Sequence, residues 1–202
     1  MDQQMCPDGE METLLSVLKS DSQAALNKAD GLLASYPRDA RLHFLRGSIL
    51  VGAGKPIEAY ASLSRAVDIA PDFAIARFQL GFFQLTSGEA NNAVATWGPL
   101  ERLEDGHYLK LFVEGLRHLI ADDFDTAFVL LEQGMAANTE NPPLNRDMQL
   151  LIDRCREVGV VPENEAPPAD AEAGIEREEE ESVSATSFLL GQLMGRGRKR
   201  HN

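Results

Sequence analysis

The sequence predicts an all-α fold of repeated antiparallel helix pairs. Two observations carry this reading: three sets of residues recur every 34 positions, and the apolar residues between them follow a helical period. Gly47, Gly81 and Gly115 are 34 apart, as are Ala59, Ala93 and Ala127, and Phe44, Phe78 and Phe112. Self-similarity at a fixed period of this size marks stacked repeats, because each unit buries its apolar face only against its neighbours. Running the frame backwards puts Ala25 and Pro37 on the positions of Ala59 and Pro71. The copies are therefore 6–39, which is degenerate, then 40–73, 74–107 and 108–141.

In the copy 40–73, Leu42, Leu45, Ile49 and Leu50 precede the turn Gly52-Ala53-Gly54-Lys55. Ile57, Tyr60, Leu63 and Val67 follow it, before Pro71. That pattern reads as helix, tight turn, helix and proline stop, with about 15 residues per helix. Gly47 and Ala59 fall where the two helices cross, and a larger side chain there would push their axes apart. Gly81 with Ala93, and Gly115 with Ala127, repeat the arrangement. Residues 143–158 read as one more helix, with Met148, Leu151 and Ile152 on one face and charged residues on the other. A terminal helix apolar on one side suits the open end of a stack.

These residues resemble the tetratricopeptide repeat (TPR) family, whose pattern is W-x2-L-G-x2-Y, then A-x3-F, then P, over 34 residues. Leu80-Gly81, Ala93-x3-Trp97, Ala127-x3-Leu131, Ala59-x3-Leu63 and Pro71 follow it. His43, Arg77 and Leu111 depart from the usual Trp, and Arg46 and Glu114 from the Leu before Gly. The resemblance implies a right-handed superhelical solenoid over 6–158 with a C-terminal capping helix, and a concave groove lined by the first helix of each pair.

By the family's pattern the second, fifth, sixth, ninth and twelfth positions of a copy face that groove. Here they supply Phe44, then Ile75, Phe78, Phe82 and Leu85, then Leu109, Phe112, Leu116 and Leu119. The expected groove is apolar. A fifth-position aromatic at helical spacing also reads as core against the next repeat, and the sequence leaves both readings open. Some family members grip a chaperone's C-terminal carboxylate with a Lys, Asn, Asn, Lys, Arg clamp. The corresponding positions are Phe44, Ser48, Gln79, Leu109 and Val113 in one register, and Glu10, Leu14, Leu45, Ile75 and Gln79 in the other, with no cation in either. The resemblance thus implies an adaptor or scaffold that binds an apolar peptide or amphipathic helix of another protein. Alternatives are a chaperone of the bacterial-secretion type for a hydrophobic client, or an assembly factor that self-associates.

Charge divides the chain. Residues 1–158 hold 23 acidic and 14 basic side chains, 159–182 nine acidic and one basic, and 183–202 no acid and four basic. The middle block, with Pro162, Pro167, Pro168 and Glu178–Glu181, has too little apolar surface for a core and reads as a disordered linker. The last block is short and amphipathic, with Phe188, Leu189, Leu190, Leu193 and Met194 followed by Arg196, Arg198, Lys199 and Arg200. It has three uses: docking in this protein's own groove, recruiting a partner, or touching an anionic membrane. Burying the five apolar side chains gains roughly 8–15 kcal/mol. Ordering the segment costs on the order of 7–14 kcal/mol in backbone entropy. Self-docking would therefore be balanced and readily displaced.

Composition excludes other classes. The 202 residues are 44% apolar and 25% charged, with a net charge of −13, which argues against a duplex nucleic acid as partner. Cys6 and Cys155 are too few and too distant for a disulfide framework or a metal-ligand spacing, and read as two reduced thiols. The N-terminus shows no secretory pattern, and no apolar run approaches the ~20 residues that span a bilayer, so a cytoplasmic location is expected. Glu114 and His118 are i,i+4 on one helix without a third ligand, and Asp122, Asp123 and Asp125 fall on a helix–helix turn without EF-hand spacing. With no phosphate loop or nucleophile elbow, no enzyme activity and no cofactor are expected. The oligomeric state is left open.

Overall fold

A computed structural model describes residues 5–157; the acidic block 159–182 and the amphipathic segment 183–202 lie outside the described residues. Among the described residues the chain is all-helical: α1 (Asp8–Leu18), α2 (Ser22–Ser35), α3 (Ala40–Gly52), α4 (Pro56–Ile69), α5 (Ala74–Thr86), α6 (Ala90–Trp97), a 3-10 helix (Gly98–Arg102), α7 (Tyr108–Ile120), α8 (Phe124–Ala137) and α9 (Pro142–Glu157). The starts of α3, α5, α7 and α9 are spaced by 34 residues, and so are those of α2, α4, α6 and α8. The last helix thus begins one residue before the 143–158 expected.

The starts have local causes. Asp21 caps α2 by accepting from Ala24 N at 2.9 Å, and Asp39 caps α3 by accepting from Arg41 N at 2.9 Å. Pro56 opens α4, where its missing N–H has no intrahelical partner in any case. His107 Nδ1 accepts from Leu109 N at 3.1 Å to start α7, and Asp123 accepts from Thr126 N at 3.3 Å to start α8. The turns α3–α4, α5–α6 and α7–α8 each reverse through one left-handed residue, and these too are 34 apart: Gly54 (φ 70), Gly88 (φ 86) and Asp122 (φ 59). Glycine adopts that conformation without steric cost; the aspartate does not.

Packing within the pairs explains the conserved spacing of the small residues. A Cβ on Gly47 would stand 2.8 Å from the Leu63 side chain, on Gly81 2.6 Å from Trp97 Cδ1, and on Gly115 2.9 Å from Leu131 Cγ. Residues 63, 97 and 131 again share the 34-residue spacing, while Ala59, Ala93 and Ala127 are wholly buried beside them. The close pairs are therefore Gly with Leu or Trp, with the alanines one turn away.

Two expectations are corrected. Ile57 and Tyr60 are exposed, at 82% and 43%, and the inward face of α4 is Ala59, Ser62, Leu63 and Ala66. That face is small except at Leu63, which fits against α3 because Gly47 lies opposite it. The second helix of the copy 74–107 is not continuous: α6 ends after eight residues and passes into the 3-10 helix at Gly98-Pro99. Pro99 lacks the N–H an α-helix would use and crowds the preceding turn.

The core forms two clusters joined through α5. Leu80 and Phe83 belong to the N-terminal cluster with Leu14, Ala29, Leu42, Leu50 and Leu63. Phe78 and Phe82 belong to the C-terminal cluster with Trp97, Phe112, Leu131 and Met148. The helix α9 closes that cluster through Leu144, Met148, Leu151 and Ile152. Arg156 lies over the Phe128 ring at 5.3 Å, and the buried Asn138 ties the two helices by donating to Asn141 O at 2.8 Å and Asn145 Oδ1 at 2.7 Å.

Candidate functional site

The side chains expected to line a groove separate into two groups. Phe78, Phe82, Leu109, Phe112 and Leu116 are each at most 2% exposed and form the C-terminal core, with Phe78 6.0 Å from both the Phe82 and Phe112 rings and 6.3 Å from Trp97. Ile75, Leu85 and Leu119 are half-buried against that same cluster. Phe44 stands apart: it packs edge-on against Phe73 at 5.4 Å, at the border of the N-terminal cluster. The structure therefore brings eight of the nine together and leaves Phe44 out. The expectation that all of them offer open surface is replaced for five by burial, because α5 and α7 pack directly on one another. Phe188, Leu189, Leu190, Leu193 and Met194 lie outside the described residues.

The faces of α5 show what remains for recognition. Gly81 and Gln84 face α6, where Gln84 Oε1 accepts from Thr96 Oγ1 at 2.7 Å and the Trp97 indole crosses Gly81. Leu80 and Phe83 turn to the N-terminal cluster, with Tyr60 of α4 6.1 Å from the Phe83 ring. Phe78 turns to α7. Helical geometry leaves Ile75, Gln79, Phe82 and Thr86, at i, i+4, i+7 and i+11, as a strip directed away from α6. The same register on α7 is Leu109, Val113, Leu116 and Ile120, and on α9 it includes Asp147.

The strip is apolar apart from Gln79, Thr86, Asp147 and Arg154, and Thr86 Oγ1 donates back to Phe82 O at 3.0 Å. Gln79 is 8% exposed as a residue. Its amide is not among the buried side-chain polar atoms without a partner, which among the described residues are Ser64 Oγ and Arg154 Nε. Asp147 is a carboxylate only 6% exposed, at the α9 end of the register. The groove pattern omitted Asp147 and counted Gln79 and Val113 only as clamp positions. Their common spacing of 34 was the signal that would have joined them.

The other titratable groups serve the scaffold. His118 Nδ1 pairs with Asp123 Oδ2 at 2.9 Å across the α7–α8 turn, so both close that turn instead of forming the Glu114–His118 pair. Lys110 holds Asp105 at 2.6 Å, which lowers the Asp105 pKa through a hydrogen bond on the surface. Arg117 pairs with Glu101. Asp39, wholly buried, accepts from Cys6 N at 2.8 Å and from Arg41 N, Nε and Nη2 at 2.8–3.1 Å, and Arg41 Nη2 also donates to Cys6 O at 2.7 Å. Burial alone would raise the Asp39 pKa; the hydrogen bonds from Arg41 and Cys6 outweigh it and hold the carboxyl below its ordinary range. Burial pushes both thiols up, and Cys6 and Cys155 are free.

Among the described residues no group of three or more His, Cys, Asp or Glu side chains is placed to hold a metal, and no helix is long and apolar enough to cross a membrane. No protein-family model matches the chain, and no curated protein matches it.

Proposed function

We propose that the chain is a TPR-type solenoid that acts as a protein–protein adaptor and receives an amphipathic helix on the half-buried apolar residues of α5 and α7. The observation that carries this reading is that Ile75, Leu85, Leu119 and Ile120 are half-buried against the C-terminal cluster, beside groove positions that are closed into the core. Such a face matches helix-in-groove recognition, in which apolar contact supplies affinity and a few placed polar groups fix register. The 34-residue spacing of helix starts, of left-handed turn residues and of the Gly–Leu/Trp crossings supports the solenoid. A carboxylate-terminus clamp has no basis in the clamp positions, which hold no cation in either register. This role involves no chemical step, and what the site does is hold.

The test is a selection of amphipathic helical peptides against the full chain, followed by mapping of amide shifts on binding. Shifts confined to α5, α7 and the start of α9 support the reading. Peptides that bind only elsewhere, or no peptide bound at all, would remove it.

A further inference from the structure

We propose that the outward face of α4 is a self-complementary docking surface whose occupant is the α4 of a second copy of this chain, running antiparallel. This stands apart from the adaptor reading, since no residue of α5 or α7 takes part.

The helix packs inward through Ala59, Ser62, Leu63 and Ala66. Ile57, Ala61, Arg65 and Asp68, at i, i+4, i+8 and i+11, therefore point outward, with Glu58 beside them and Lys55 just before the helix. All six are exposed, and Ile57, at 82%, is the most exposed large apolar side chain among the described residues. Other surface charges nearby are paired, Lys28 with Glu10 at 2.7 Å and Arg46 with Asp30 at 2.6 Å. Lys55, Glu58, Arg65 and Asp68 make no side-chain ion pair or hydrogen bond to any described residue.

The spacing of these four charges selects the occupant. Glu58 and Arg65 stand at equal distances on either side of the point between Ala61 and Ser62, and so do Lys55 and Asp68. In a twofold pair of antiparallel helices centred on that point, each residue lies level with its symmetric counterpart in the other copy, as isologous contact requires. Glu58 of either copy then meets Arg65 of the other, and Lys55 lies level with Asp68. Two helical turns separate Glu58 from Arg65, so both lie on one flank, and the twofold keeps that flank in common. Ala61 sits at the crossing, where its small side chain lets the axes approach toward the lower end of ~8–10 Å and brings each Ile57 against the other helix. The four charges cancel within a chain of net charge −13, so a second copy meets less repulsion here than on the acidic remainder. Exposed ion pairs contribute little each, and one helix face against its copy falls below the ~1,200 Å² of a standard interface. The dimer is therefore weak and reversible.

Sedimentation equilibrium of the full chain at concentrations up to about 1 mM tests this, with circular dichroism to confirm the helicity of each variant. Wild type is expected to form a reversible dimer over that range. Glu58→Arg and Arg65→Glu each set like charges against one another across the twofold, and each should weaken association at least about tenfold. Mixed in equal amounts, the two variants pair Arg with Glu at both ends and should regain at least the wild-type association. That recovery separates antiparallel self-pairing from the loss of a contact to any other surface. A wild type that stays monomeric throughout, variants that associate as wild type does, or a mixture that regains nothing would each overturn the proposal.

Discussion

The Trp97 indole lies across the backbone of α5 at Gly81: its Nε1 donates to Phe78 O at 3.1 Å, and a Cβ on Gly81 would meet Cδ1 and Cε2 at 2.6 Å. The ring is pinned by that hydrogen bond and by Phe78 stacked beside it, so it has no room to retreat. Gly81→Ala is expected to destabilise the chain by about 2–3 kcal/mol despite the better helix propensity of alanine. Gly47→Ala and Gly115→Ala meet flexible leucine side chains and should cost less. Urea denaturation of the three variants gives the ranking directly. Equal costs would show that the indole is not held as described.

Asp122 occupies the left-handed turn position that Gly54 and Gly88 occupy in the preceding pairs. Asp122→Gly should therefore raise stability by roughly 0.5–1 kcal/mol, since it removes steric strain at a positive φ. Thermal unfolding would show a higher midpoint. A lower one would mean that the Asp122 side chain contributes more than its backbone loses.

Asp39 fastens the segment before α1 to the start of α3, with Cys6 buried beneath it. Asp39→Ala should destabilise by about 2–4 kcal/mol, because it strands the buried Cys6 N–H and takes the main partner from the part-buried Arg41 guanidinium. Alkylation of the Cys6 thiol should be slow in wild type and at least about tenfold faster in the variant, as local opening becomes easier. The pH dependence has a definite sign. A carboxyl held below its unfolded pKa of about 3.9 contributes stability above that pH and loses it as pH falls through the lower folded value. The variant's stability should therefore fall less steeply than wild type's below pH ~4. Parallel acid titrations would contradict the assigned role.

Ile57 and Phe112 test which apolar residues are core. Ile57, at 82% exposure, should tolerate Ile57→Lys within about 0.5 kcal/mol. Phe112 is buried against Phe78, and its ring fills the space where a Cβ on Gly134 would stand. Phe112→Ala should cost about 3–5 kcal/mol. A folding loss of that size would also make Phe112 unsuitable as a probe of binding, although its sequence position suggests a groove residue.

Much of the architecture was legible because its signals are local or periodic. Gly47, Gly81 and Gly115 set the register, Pro56 and Pro71 bracket a helix, and the 34-residue offset predicts every later helix start to within a residue or two. What was hidden depends on neighbours. Ile57 and Tyr60 fit a helical apolar period, yet the face of α4 that packs inward is Ala59, Ser62, Leu63 and Ala66. The break at Gly98-Pro99 was visible as a dipeptide but overshadowed by the repeat. The site was legible as a set of positions and not as a surface. Phe78 and Phe112 satisfy the groove pattern, yet each other's rings bury them.

The most direct test of the central claim uses Ile75 and Leu119, half-buried apolar residues of α5 and α7 that can be changed without emptying the core. Affinity for a selected amphipathic peptide should be measured for wild type and for Ile75→Glu/Leu119→Glu, with circular dichroism as a check on folding. The account predicts unchanged helicity and a loss of at least about tenfold in affinity, equivalent to ~1.4 kcal/mol. Equal affinity with intact helicity would contradict it and take the α5–α7 strip out of recognition.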